Sequence, residues 1–268
     1  DHGNTPCIGM GKLMKTGAKE IVFPSECRLL KGLTPEQYRD LCGCMKAREL
    51  HLRNKQTFVI GGAHTNEFAG IQVENASVVR VCDDVVLPPA NNRLYFLQGG
   101  SLAEPATLSL EGNAQLLGRG LLAETNTLRV GCASSSYGLL KIGENAVVSN
   151  DVLVSYNGGS NGGFGAIYLL GGQLHMRQGQ GGGNNAFLGH RRGYAYLGIR
   201  DGLFTEDVWF NLGAWESHSF FFQKGGRVHH AGTSEPVRLG RTSADTYAHY
   251  RQEGGTAKFD NYMALCMI

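Results

Sequence analysis

One short pattern recurs through the last two thirds of the chain and limits its fold more than any other feature: a small residue, a residue of any kind, then a large apolar one. It reads Ala106-Thr107-Leu108, Gly138-Leu139-Leu140, Gly165-Ala166-Ile167, Ala195-Tyr196-Leu197, Ser219-Phe220-Phe221 and Ala248-His249-Tyr250. Two residues further along the same face stand Leu110, Ile142, Leu169, Ile199, Gln223 and Gln252. Each segment then closes on a polar or glycine turn such as Gly171-Gly172 or Asp201-Gly202. The intervals between copies are 32, 27, 30, 24 and 29 residues. A second apolar strand precedes the later copies and usually ends in glycine, as in Leu128-Arg129-Val130-Gly131 and Phe210-Asn211-Leu212-Gly213. A third follows the turn, as in Gln173-Leu174-His175-Met176 and Arg227-Val228-His229-His230.

Alternation with a period of two belongs to strands, whose successive side chains point to opposite faces, and excludes helical repeats of similar length. An antiparallel sandwich also uses glycine turns, about every 8–12 residues, but supplies no reason for every third strand to match. The pattern therefore predicts an all-β chain: a right-handed parallel β-helix of about six coils over residues 94–268, handed as parallel crossovers usually are.

Residues 1–93 carry no clear repeat and are expected to cap the solenoid, whose open end needs covering. Thr34 as N-cap, Pro35 in the first turn and Gln37 three residues on predict a helix over about 35–50. Short apolar strands flank it at 20–23, 57–60 and 77–81.

Composition agrees with a turn-rich solenoid: 39 of 268 residues are glycine and only 7 are proline, against a usual glycine share of about 7%. A net charge of +2 with no block of like charge leaves no electrostatic footprint for nucleic acid. No run reaches the ~18 apolar residues of a membrane span, so membrane insertion is not expected. The chain opens at Asp1 without a leader pattern, which fits a cytosolic, a processed or an excised chain. Seven cysteines, an odd number, read as structural or disulfide residues, and Cys42-Gly43-Cys44 is too tight for the C-x2-C spacing of a zinc site.

The run of Leu-Gly, variable turn, small-x-large strand and Gly-Gly-x-apolar, clearest from Phe187-Leu188-Gly189 through Gly254-Gly255-Thr256, resembles the autotransporter-associated β-strand repeats of large bacterial surface proteins. Looser copies extend back to Ala106, so the resemblance covers roughly 60% of the chain. It implies a β-helix on a secreted or cell-surface protein. The pectate-lyase-like superfamily shares this architecture, but no lyase-specific motif is present. Gly162-Gly163-Phe164-Gly165 is similar to a calcium-binding nonapeptide, yet Ile167 stands where that motif has Asp.

Alternation sorts each repeated strand into two faces, and the outward one is aromatic. Tyr137, Phe164, Tyr194, His218 and Tyr247 precede the small residues; Tyr196, Phe220 and His249 follow them, with Thr107, Leu139 and Ala166 in the same row and Tyr168, Phe222 and Arg251 beyond. Coils about 4.8 Å apart place these rings in rungs, which suits sugar rings, a protein partner, or the stacking of rings on one another. The eight aromatic and histidine residues Tyr137, Phe164, Tyr194, Tyr196, His218, Phe220, Tyr247 and His249 are the candidate ligand-binding set.

Other chemistry is sparse. Arg191, Asp201, Glu216 and Arg241 supply residue types a lyase needs to neutralise a carboxylate and move a proton. His229 and His230 are adjacent on a strand and so face opposite sides, which rules out a shared metal. No nucleophile–base pair, phosphate loop or dinucleotide fingerprint occurs, so no catalytic residue, metal or cofactor is expected. The segment from Asp260 to Ile268 reads as one more apolar strand: either the protein continues, or another copy docks end to end.

Together these features predict an extracellular, non-catalytic structural or adhesive solenoid that displays an aromatic ladder to a polysaccharide or protein partner and can self-assemble. Two other readings stay open: a polysaccharide lyase or glycoside hydrolase, and a fibre or tailspike segment.

Overall fold

The computed structural model describes residues 26–27, 49–52, 55, 57–61, 70–87, 94–117, 127–155, 163–176, 185–232, 236–241 and 245–265. They form a parallel β-solenoid with three sheets. The first sheet has nine strands: Glu26–Cys27, Thr57–Ile60, Val78–Val81, Ala106–Leu110, Tyr137–Ile142, Phe164–Leu169, Tyr194–Ile199, His218–Gln223 and Tyr247–Gln252. From each of the later strands the chain turns into the third sheet, then the second, and returns one rung further on. Gln115–Leu117, Gln173–Met176, Leu203–Glu206, Arg227–His230 and Thr256–Phe259 belong to the third sheet. Thr127–Val130, Asn185–Leu188, Trp209–Ala214, Val237–Arg241 and Met263–Leu265 belong to the second. One long strand, Val147–Val154, serves both, its first half pairing in the third sheet and its second half in the second.

The register is the one the repeat predicts. Gly138 lies opposite Ala106 and Gly165, and the row continues through Ala195, Ser219 and Ala248. Parallel in-register pairing stacks like on like, so the large residues of the pattern build one interior column. Leu108, Leu140, Ile167 and Leu197 are fully buried in it, and Phe221 is nearly so. Leu116, Val148, Leu174, Phe204 and Val228 face them from the third sheet, and Val130, Val154, Leu188 and Leu212 from the second; all belong to one core cluster. At about 25 cal/mol per Å² of apolar surface removed from water, this column is the main stabilising term.

The corners explain the Leu-Gly signature. Gly131 has a φ of +63°, and a Cβ there would meet the Phe164 carbonyl oxygen at 1.9 Å, so only glycine fits. Ser155 takes the equivalent corner of the next coil with φ +50° and donates a 2.6 Å hydrogen bond to the Gly163 carbonyl.

The parallel stack is not confined to residues 94–268. Thr57–Ile60 and Val78–Val81 pair in register with Ala106–Leu110, aligning Val79 with Leu108 and Val81 with Leu110. Ser77-Val78-Val79 is thus another copy of the small-x-large pattern. Its turn hides it: Asp83, at φ +61°, takes the left-handed position that Gly112 fills in the next coil at φ +63°. The helix expected over about 35–50 lies outside the described residues, except that Glu49–Leu52 is a strand of the second sheet, so no helix reaches Leu50. The strand expected at 20–23 also lies outside them.

Candidate functional site

All eight candidate residues stand on the outer face of the first sheet, in two adjacent rows. The first row runs Tyr137, Phe164, Tyr194, His218, Tyr247. Its rings stack face to face: Tyr137 on Phe164 at 4.6 Å and 6°, Phe164 on Tyr194 at 4.7 Å and 6°, Tyr194 on His218 at 5.0 Å and 22°. His218 and Tyr247 are looser, at 6.1 Å. The inter-rung spacing of a sheet matches the spacing at which aromatic rings stack, so the ring faces are spent on one another. What this ladder offers to solvent is ring edges and hydroxyls. It is a wall, and cannot be the flat platform on which sugar rings would lie.

The second row runs Leu139, Ala166, Tyr196, Phe220, His249, and a third row beside it holds Lys141, Tyr168, Gly198, Phe222 and Arg251. Thr107 heads the second row but is covered, 7% exposed, with its hydroxyl donating to the Pro105 carbonyl at 3.1 Å. Ala166 is the shortest side chain of its row and leaves a depression. The ladder rings Tyr137, Phe164 and Tyr194 bound it on one side and Tyr168 and Tyr196 on the other. Leu102 and Phe220 also line it, enclosing a groove of about 200 Å³. Leu102 is 78% exposed and projects from a loop closed by the Gly100–Pro105 bridge.

Gly198 shapes the far wall. A Cβ at Gly198 would meet the Tyr196 ring at 2.6 Å (Cε1) and its hydroxyl oxygen at 2.9 Å, so the missing side chain is what lets Tyr196 lean across the strand. There it meets Tyr168 at 5.3 Å, tilted by 46°. Burial pushes the Tyr196 hydroxyl above the usual phenol range, with Tyr168 adding to the shift. Among the described residues, the groove lining holds no Asp, Glu, Lys, Arg or His. Charge begins at its edge, with Lys141 opposite Tyr168 in the third row, and continues beyond it, where Arg251 lies 5.6 Å and Lys224 5.9 Å from the Phe222 ring centroid.

The residues a lyase would use fall in two places: Arg191, Glu216 and Arg241 at one corner of the stack, where the Arg191 N–H donates to the carbonyl of Ala214, the residue opposite Arg241, and Asp201 at another. Arg191 and Glu216 lie in corners preceding Tyr194–Ile199 and His218–Gln223, whereas Asp201 lies in a corner following, a strand length away; at ~3.3 Å per residue that is on the order of 20 Å. Glu216 pairs with Arg192 of the adjacent corner, and Asp201 Oδ1 accepts the Gly202 N–H at 2.7 Å. Arg241 stands opposite Ala214 in the second sheet. Among the described residues no group of three His, Cys, Asp or Glu side chains could hold a metal ion.

His229 and His230 do face opposite sides. His229 is outside, 2.7 Å from Asp260. His230 is inside, 1% exposed, with Nδ1 hydrogen-bonded to Oε1 of the equally buried Glu206. Burial pushes the Glu206 carboxyl up, against the opposing pull of His230 and of the Val208 N–H, which donates to Oε2 at 3.2 Å. Sequence reasoning missed this pair, although a signal existed: Glu206 occupies an inward position one 24-residue coil before His230, in the row Met176, Glu206, His230, Phe259. It also missed Leu102, which lies outside the repeat, and Gly198, the one residue without a side chain in a row where its neighbours are Tyr168 and Phe222.

Compared with protein-family models, curated proteins and solved structures, the chain matches none. Its architecture rests on its own strand pairing.

Proposed function

We propose that this solenoid is a non-catalytic display module, secreted or carried at a cell surface, whose aromatic sheet face binds a glycan. One observation carries the reading: a rigid outer face on which a five-rung stacked ladder borders an open, uncharged groove rimmed by tyrosines. A contiguous aromatic patch with Tyr168, Tyr194, Phe220 and Tyr247 each more than a third exposed marks an interaction surface. Phenol rings with free hydroxyls, as at Tyr168 and Tyr194, suit a ligand that is itself apolar on its faces and hydroxylated at its edges. The cell-surface setting comes from the resemblance to surface-protein repeats. The test is a glycan array run beside a polysaccharide depolymerisation assay on the purified chain. Retention of a glycan whose length does not change, lost in a Tyr194→Ala/Phe220→Ala variant, supports the reading; depolymerisation, or retention unaffected by that variant, overturns it.

A second reading, end-to-end self-assembly, is favoured by the rung Tyr247–Gln252, Thr256–Phe259 and Met263–Leu265. Its inward residues Tyr250, Ala257 and Phe259 are only half-buried, and Met263 is 38% exposed. Parallel strand edges with apolar side chains above them are templates for further pairing. Sedimentation that rises with protein concentration would support assembly; one monomeric species at all concentrations argues against it.

A further inference from the structure

Resting on that glycan reading, we infer that the groove over Ala166 is a subsite for one uncharged sugar ring of a neutral glycan, and that the stacked ladder is its side wall. The ladder faces are mutually covered at 4.6–4.7 Å over Tyr137, Phe164 and Tyr194, so a sugar cannot lie on them. The space left is the depression between that wall and the Tyr168–Tyr196 wall, with the Ala166 methyl and Leu139 as its floor. At about 200 Å³ and open to solvent, it is smaller than the ~300–1,000 Å³ of pockets that enclose a drug-sized ligand. It therefore suits one ring of a chain that continues along the sheet.

Chemistry selects the class. The hydroxyls of Tyr137, Tyr168, Tyr194 and Tyr196 make no hydrogen bond to another described residue, so each can donate to and accept from a sugar hydroxyl. With no cationic side chain among the described residues of the lining, a uronate carboxylate or a sulfate would give up hydration for hydroxyl donors alone, with no counter-charge to offset the loss. The groove thus discriminates by charge.

The probes are cellohexaose, maltohexaose, chitohexaose and hexagalacturonate, titrated calorimetrically into the wild-type chain and Ala166→Phe, with Ala166→Ser as control. Thermal melts check the fold of each variant. Methyl and aromatic NMR shifts of Ala166 and Tyr196 in the wild-type chain report on the groove even if the phenylalanine variant does not fold. Binding of a neutral hexasaccharide at least about tenfold tighter than hexagalacturonate, shifts at Ala166 and Tyr196, and about tenfold loss in Ala166→Phe (roughly 1.4 kcal/mol) are expected. Equal or tighter binding of hexagalacturonate, or a neutral glycan that binds without shifting Ala166 and Tyr196, overturns the subsite and leaves the glycan reading standing. No binding of any of the four overturns both.

Discussion

The middle coils and the last two share a backbone but not an interior. Through Tyr137–Ile142, Phe164–Leu169 and Tyr194–Ile199 the inward columns are aliphatic: Leu140, Ile167 and Leu197 in one, Ile142, Leu169 and Ile199 in the next, none more than 1% exposed. In the coils that follow, the same columns read Phe221, Tyr250 and Gln223, Gln252, and in the third sheet His230 stands on Glu206, which follows Ile199 at the boundary between the two regions. The substitution is not random. The Gln223 amide donates to the Thr256 carbonyl at 3.1 Å, and its oxygen accepts the Tyr250 hydroxyl at 2.9 Å; Glu206 has His230. A parallel stack accepts a polar residue inside when the neighbouring rung supplies its partner, because a buried polar group is costly only if unpaired. The backbone sets the rung, and cross-rung chemistry sets what it can hold.

The contrast breaks most sharply if a middle rung is given the chemistry of the end. Leu169→Gln places an amide between Ile142 and Ile199, where neither neighbour can bond it. Lost apolar burial and an unpaired amide together predict a destabilisation of about 3–6 kcal/mol, read as a fall in urea midpoint; a loss under ~1 kcal/mol would mean that these columns tolerate polarity anywhere. Removing one partner at the polar end is nearly as severe. Glu206→Ala takes the carboxyl away from the buried His230 and is expected to cost about 3–5 kcal/mol, whereas Glu206→Leu/His230→Phe extends the apolar row from Met176 to Phe259 and should restore wild-type stability or exceed it. A double variant as unstable as the single one would show that the pair is needed for more than mutual compensation.

How much of this was legible follows the same division. The column Leu140, Ile167, Leu197, Phe221 and the register around it were readable because like stacks on like, and the repeat states the register directly. The outward rows were readable from alternation. The use made of the rings was not, since whether neighbouring aromatics stack or splay depends on rotamers: Tyr194 stacks on Phe164 while Tyr196 leans over Gly198. The rung at Val78–Val81 was hidden by a turn built on Asp83 in place of glycine, and the Glu206–His230 pair by being a contact between coils.

A milder probe of the contrast is pH, because among the described residues only the polar end carries a buried titrating pair in the inward columns. The Glu206 carboxyl is raised by burial, which outweighs His230, and Asp207 pushes it the same way. Its other neighbours in the row, Met176 and Phe259, are uncharged. A carboxyl whose folded pKa lies above its unfolded value binds its proton more firmly when folded. Its stabilisation is complete below the unfolded value, about 4.3, and is lost as pH rises through the folded one. The stability of the wild-type chain relative to Glu206→Gln should therefore shrink as pH rises above ~4, measured by denaturant titration at several pH values. A difference that grows with pH would assign the dominant influence to His230 instead.

The smallest effect belongs to the last rung, and smallness is the point. Gln252 occupies the column of Leu169 and Gln223 yet is exposed, with its amide donating to the Gly255 carbonyl at 3.2 Å. Gln252→Leu is expected to change stability by no more than about 0.5 kcal/mol, as exposed substitutions do, and amides of Tyr247–Gln252 should exchange with solvent faster than those of Phe164–Leu169. Interior position alone does not make a residue matter in a stack; a covering rung does. A change above ~1 kcal/mol, or equal protection of the two strands, would mean that another surface closes over this rung in solution, and would shift the comparison from two interiors to one continuous column.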